Sequence, residues 1–383
     1  MVRTTIAAIS RTDPDGNLPR HELGAPSLIT PRIDHHRWER STLMSDISPF
    51  IAALPKTELH LHLVGSASPE TVLELSRNHP EAGLPTTLAD LTEFYTFRDF
   101  PHFIQIYEQV DSMVRTAADV HALILGLSRD AAASNVRYAE VTVTAGMNLD
   151  KEMSGPELAS ALESSRVAAL DTYGVTLNWI FDIPAGLPDV FRVSTVDFAL
   201  TQRPLGTVAL GLAGLEVGSP RADYQADFDR AIEAGLHRVV HAGETTGPEE
   251  VWSALKVLHA ERIGHGVGSA RDPELMAYLR DNDITVEMCP TSNLCTRAVD
   301  KIENHPLPIL LEHGVPVTLS TDDPGMFNTY LNREYQLVAD TFGLDNAQLA
   351  ELARAGVRGA YCPEDLRTEL LAEIDALVAE GTG

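Results

Sequence analysis

A chain of 383 residues that is 44% hydrophobic and 22% charged can bury one large core, and a barrel of eight α/β units commonly fills such a length as one domain. A formal net charge of -26 repels nucleic-acid phosphates and anionic membrane surfaces, which argues against both as partners and leaves small molecules. Three cysteines, Cys289, Cys295 and Cys362, leave one unpaired in any disulfide scheme and lack the spacing of a thiolate metal site, a pattern that suits a reducing cytosol.

Residues 1 to 45 are rich in Pro, Thr, Asp, Arg and His without hydrophobic periodicity, which predicts a disordered arm ahead of a single domain over 46–383. The longest apolar run there, Ile6 to Ile9, is too short for a signal-peptide core. Met44 is a candidate alternative start, and His35 and His36 read as solvent-exposed. No apolar stretch reaches the ~20 residues needed to span a bilayer.

From residue 50 onward, short β-rich runs alternate with helical spacing. The predicted strands are Glu58 to Leu63, Val136 to Thr144, Thr176 to Ile183, Thr207 to Gly211, Arg238 to His241, Arg262 to His265, Ile284 to Met288 and Val317 to Ser320. Between them, Pro156 to Tyr173, Asp223 to Gly235, Pro248 to His259 and Pro273 to Asn282 carry helical periodicity, several opened by Pro or Asp and closed by Gly or Asn. This alternation predicts an α/β fold, a (β/α)8 TIM barrel of the metal-dependent hydrolase type. The stretch of about residues 69 to 133 between the first two strands is longer than one crossover helix requires. It is expected to be a helical insertion that reaches over the barrel mouth.

His60 and His62 alternate with Leu59, Leu61 and Leu63, so on a strand both imidazoles share one face. Strand five ends in His241-Ala242-Gly243-Glu244, strand six in His265-Gly266 and strand eight in Thr321-Asp322-Asp323-Pro324. Ionisable residues thus gather where four apolar strands finish, which in a barrel is the catalytic face. Three imidazoles and a carboxylate with one open position suit zinc, and His60, His62, His241 and Asp322 are the expected ligands of one zinc ion per chain. A two-metal site bridged by a carbamylated lysine is the alternative; the lysines are Lys56, Lys151, Lys256 and Lys301, and none ends a strand. Zinc lowers the pKa of bound water from ~15.7 to ~7, which calls for a substrate with an electrophilic carbon.

These residues sit in recognisable motifs. LPKTELHLH (Leu54 to His62), GLAGLE (Gly211 to Glu216), HAGE (His241 to Glu244), RIGHG (Arg262 to Gly266), CPTSN (Cys289 to Asn293) and STDDP (Ser320 to Pro324) together resemble the adenosine deaminase family of the amidohydrolase superfamily, in the family's order over roughly residues 50 to 375. The resemblance implies hydrolytic deamination at C6 of a 6-aminopurine. It assigns His265 to orient the attacking water and take its proton, Glu244 to protonate N1 as a carboxylic acid, Asp323 to bond N7, and the Gly214 backbone to face N3. His62 borders the substrate as well as the metal.

One position departs from the pattern. Adenosine deaminases carry, two residues after the second histidine, an aspartate that binds the ribose 5'-hydroxyl; adenine deaminases carry glutamate and the N6-methyl-AMP branch asparagine. Here it is Val64, which accepts no hydrogen bond, and a buried hydroxyl left unpaired costs roughly 1–3 kcal/mol. The departure argues against plain adenosine, and among the branches of the family that the chain resembles, the one that fits best implies a purine nucleoside whose 5' position bears a carbon chain ending in a benzoate. The run from Phe94 to Phe103 offers aromatic cover for such a group, with Phe97 as a candidate for the aryl ring and Arg98 for the carboxylate; packing of the same aromatics between a helix and the barrel is the alternative reading. Adenosine, adenine and N6-methyl-AMP are the alternative substrates. An ester, lactam or phosphoester hydrolase and a non-catalytic family member are the readings from other classes.

The remaining polar motifs read as structural: Pro290-Thr291-Ser292-Asn293 as the shaped loop after strand seven, and Cys289 as a buried filler. His102, His121, His237, His259, His305 and His313 lie away from strand ends and receive no role.

Overall fold

In the computed structural model the apolar runs form strands where their spacing places them: β1 (Lys56–His62), β2 (Val136–Val143), β3 (Thr176–Ala185), β4 (Thr207–Gly214), β5 (His237–Ala242), β6 (Arg262–His265), β7 (Thr285–Met288) and β8 (Val317–Leu319). The structure describes residues 46–96, 100–151 and 153–381. The expectations for the arm, and for Phe97 and Arg98, concern residues outside these. All paired neighbours run parallel in the order β1 to β8, and nearly every strand position is buried because helices cover the outside.

The ring closes through residues that carry chemistry. The His62 amide donates to the Asp322 carbonyl at 2.9 Å, and the Asp322 amide donates to the His60 carbonyl at 3.0 Å, a bridge just beyond the end of β8. Closure therefore fixes the distance between the paired histidines of β1 and the acidic pair after β8. His265 and Asp322 adopt positive φ angles of 59° and 67°, which cost non-glycine residues on the order of 1–3 kcal/mol and persist only where surroundings impose them.

Helices start and stop on local signals. Ser154 caps the helix Gly155–Tyr173, which ends on Gly174 in the left-handed conformation, and Asp272 accepts from the amides of Glu274 and Leu275 to open the helix Pro273–Asp281. The expected insertion comprises the helices Pro69–Asn78, Leu88–Phe94, Phe100–Asp111 and Ala117–Ala133. It reaches the barrel mouth, since Phe103 stacks on Phe327 with ring centroids 5.0 Å apart, a few residues beyond the acidic pair. Tyr95 donates its hydroxyl proton to the Ala67 carbonyl at 2.7 Å, tying the insertion to the loop after β1. Among the described residues no helix is long and apolar enough to cross a membrane.

One segment differs from expectation. Pro290–Cys295 is a short helix rather than a loop, because Pro290 occupies its first position, where a fixed φ and a missing amide proton favour helix. Ser292 and Asn293 consequently aim their side chains into the barrel mouth instead of bonding the loop backbone.

Candidate active site

The strand ends bring His60, His62, His241, Glu244, His265, Asp322 and Asp323 to one place. Asp322 Oδ1 lies 3.4 Å from His60 Nε2 and 3.2 Å from His62 Nε2, and His62 Nε2 lies 3.2 Å from His241 Nε2. Bonds of ~2.0–2.1 Å to a tetrahedral zinc would put neighbouring donor atoms ~3.3 Å apart, and these three distances are compatible with that. One further feature fits a cation: His60 Nε2 is buried without a hydrogen-bond partner.

The donors of His60, His241, His265 and Asp322 also lie within 4.8 Å of one another, which admits His265 as a ligand in place of His62. Toward Asp322, His62 Nε2 is the nearer at 3.2 Å, with His265 Nε2 at 4.0 Å and also 3.7 Å from Glu244 Oε2; toward His60, His265 is the nearer, with ring centroids 4.6 Å apart against 5.5 Å for His62. Burial opposes charge on both histidines of β1, but the negative Asp322 carboxylate beside them outweighs it and raises His60 to about 10, with help from Glu287, and His62 to about 9. His241 is driven well below the usual range by burial and by its histidine neighbours. Asp323 is pushed up to about 8 by burial and by the adjacent Asp322 charge.

Supporting residues hold each group. Glu287, a lone carboxylate in the apolar strand β7, accepts from His60 Nδ1 at 3.0 Å and is itself bound by Arg262 at 2.6 Å. Arg262 also pairs with Glu140, so a wholly buried layer of charge lies beside His60. Ser292 donates to Asp322 Oδ2 at 2.7 Å. Gly264 in RIGHG is required by this packing, since a Cβ there would stand 2.8 Å from His60 Cε1.

Glu244 sits on the turn after β5 and accepts from Thr296 Oγ1 at 2.8 Å. That turn is held by Glu216, whose carboxylate accepts from the amides of Gly243 at 2.5 Å, Thr245 at 2.6 Å and Thr246 at 3.2 Å. Burial works against the Glu216 charge, but these amides and Arg221 hold its carboxyl below the usual range. Gly214 ends β4 with φ 86°, and a side chain there would meet the Ala185 carbonyl at 2.6 Å. Its exposed backbone therefore borders the open mouth. Val64 lines a small cavity with Leu63, Tyr107, Asp111, Thr142 and Thr144.

Reading the strand ends alone misses Glu287, Glu216, Ser292, Asn293 and His305. The signal for Glu287 is a carboxylate inside a strand with no polar neighbour but Thr285. Glu216 lies within GLAGLE, beyond the end of its strand.

Comparison with known proteins places this geometry. The adenosine deaminase family model matches residues 55–377. An aminodeoxyfutalosine deaminase from Streptomyces coelicolor is 43% identical over 380 residues, 98% of this chain and 97% of its own. One from Streptomyces avermitilis is 45% identical over 87% of this chain and 94% of its own. The crystal structure of an adenine deaminase from Arthrobacter aurescens superposes with a TM-score of 0.79 at 27% identity, covering 85% of this chain and 99% of that one.

Proposed function

Because the chain belongs to the adenosine deaminase family, we propose that it is a zinc-dependent aminohydrolase that converts 6-amino-6-deoxyfutalosine to futalosine and ammonia in the cytosol, as a step toward menaquinone. What supports the chemistry is the close approach of Asp322 to His60 and His62 and of His62 to His241, with Glu244 near by at His265. The substrate assignment rests on Val64 and on two relatives of that name at 43% and 45% identity, against 36% for an adenine deaminase from Sphingopyxis alaskensis.

His60, His62, His241 and Asp322 would hold the metal, one zinc ion per chain, which when bound would acidify water and offset negative charge at the reacting oxygen. Glu244 gives its carboxyl proton to N1, drawing electrons from C6. Asp323, kept protonated by burial and by its neighbour's charge, donates to N7, a pure acceptor, and the Gly214 backbone faces N3. His265, with Nε2 turned toward Glu244 and Asp322, orients the water that adds to C6. The C6–O bond forms, the C6–N bond breaks, one water proton restores Glu244 and the other leaves on ammonia, while N1 keeps the proton it received.

The test is kcat/KM of the zinc-loaded enzyme on aminodeoxyfutalosine, adenosine, adenine and N6-methyl-AMP. The first should exceed adenosine by at least ~10-fold, the factor set by an unpaired buried hydroxyl. A preference for adenosine would overturn the substrate assignment, and activity on esters without ammonia release would overturn the reaction class.

A further inference from the structure

Behind His265 runs a chain of hydrogen bonds whose direction is fixed at its far end. The backbone amide of Leu307 can only donate, and it does so to His305 Nδ1 at 3.2 Å. His305 Nδ1 is therefore an acceptor without a proton, and the neutral ring carries its proton on Nε2. His305 Nε2 stands 3.1 Å from Asn293 Oδ1 and donates to it. That leaves the amide nitrogen of Asn293 to donate to His265 Nδ1 at 3.1 Å. Asn293, His305 and His265 are all buried, at 0%, 3% and 1% exposure, so solvent has no route to reverse the sequence. Burial, with the neighbouring His265, lowers His305 to about 4, in keeping with a ring that stays neutral and keeps its polarity.

We propose that His305 and Asn293, neither of which touches the reacting atoms, are positioning residues that lock His265 in the Nε2–H tautomer, so that His265 serves the reaction as a hydrogen-bond donor rather than as a base at that nitrogen. A proton already on Nε2 leaves no lone pair there for a metal, so this tautomer goes with the proposed ligand set that takes His62 rather than His265. It revises one half of the role the motifs give His265: orientation of the attacking water is kept, proton uptake at Nε2 is not. The short helix Pro290–Cys295 exists in this scheme to carry two adjacent side chains to two targets, Ser292 to Asp322 and Asn293 to His265.

The kinetic consequence rests on the deaminase reading, whereas the tautomer does not, so two measurements separate them. In zinc-loaded full-length protein with 15N-labelled histidine, the His265 signals, assigned by their loss in His265→Phe, should show Nδ1 at an unprotonated shift and Nε2 at a protonated one. The opposite pattern overturns the inference whatever the enzyme acts on. In the second measurement, Asn293→Asp keeps the shape but offers Nδ1 only an acceptor, which moves the proton to Nδ1. It should lower kcat by ~10²–10³-fold, the scale of one lost preorganised donor, with KM and zinc content unchanged. His305→Leu should lower kcat at least ~10-fold, and His305→Gln, which keeps a donor at the Nε2 place, should restore most of it. Wild-type rates in both Asn293→Asp and His305→Leu would overturn the inference. Absence of ammonia release from every 6-aminopurine by the zinc-loaded wild type would instead overturn the function, leaving the tautomer readable by its spectrum.

Discussion

Glu287 accepts from His60 Nδ1 at 3.0 Å, carboxylate and imidazole both wholly buried. The contact sets which nitrogen of His60 carries the proton and leaves Nε2 free to face Asp322. Arg262 in turn holds the other Glu287 oxygen, so the carboxylate has no freedom to turn away. Replacing Glu287 by Gln puts an amide oxygen or an amide N–H before His60, with Arg262 competing for the oxygen. Zinc affinity of Glu287→Gln, measured by competition with a chelator of known strength, should fall by ~10–100-fold, while circular dichroism stays that of the wild type. Unchanged affinity would show that the ring is held by packing against Gly264 alone.

The roles of acid and ligand separate in a pair of variants. The Glu244 carboxylate faces His265 at 3.7 Å, whereas His241 Nε2 stands 3.2 Å from His62 Nε2. Glu244→Gln should therefore keep its zinc and lose ~10²–10⁴-fold in kcat, the usual worth of a positioned acid, whereas His241→Ala should lose both metal and turnover. Metal content by mass spectrometry alongside ammonia release reads both, and near-normal turnover in Glu244→Gln contradicts its role as proton donor.

Much of this was legible in the chain. Eight strands, their order and the insertion follow from hydrophobic spacing, and the ionisable strand ends follow from barrel geometry. What pattern does not reveal is the second circle of residues. Glu287 acts through His60 and Arg262, 227 and 25 residues away, and His305 through Asn293 on another element, and such contacts have no periodicity. Ser292 and Asn293 were visible as polar residues after β7, but their targets depend on Pro290 turning the segment into a helix. His305 precedes Pro306 in a surface-like stretch, and only the folded chain shows it buried.

Glu216 makes a third prediction, because it holds the turn on which Glu244 rides. One oxygen accepts from Gly243 and the other from Thr245 and Thr246, so Glu216→Gln sets an amide donor against backbone donors on one side. Leaving such amides unpaired costs about 1–3 kcal/mol, part of it seen as lower stability in urea titration and part as displacement of Glu244. kcat should fall ~10-fold or more with KM little altered, and zinc should remain. An unaltered kcat would mean that Thr296 Oγ1, the partner of Glu244 on the far side, suffices to place it.

The pH dependence of folding offers a last check on the neutral His305. Burial, with the nearby His265, lowers its pKa from about 6.5 in an unfolded chain to about 4. Between those values the unfolded chain binds a proton that the folded one refuses, so stability rises with pH there. Above pH 6.5 both forms are neutral and nothing is lost; as the pH falls toward 4 the folded state gives up on the order of 3 kcal/mol, at ~1.36 kcal/mol per unit. His305→Gln removes the titrating group, so the stability difference between variant and wild type should shift in the variant's favour by that amount between pH 6.5 and 4. Urea unfolding at half-unit steps measures it, on protein freed of metal so that zinc release in acid does not add its own slope. A flat difference across that window would mean that His305 is protonated in the fold, and the hydrogen-bond chain to His265 would then run from a different starting charge.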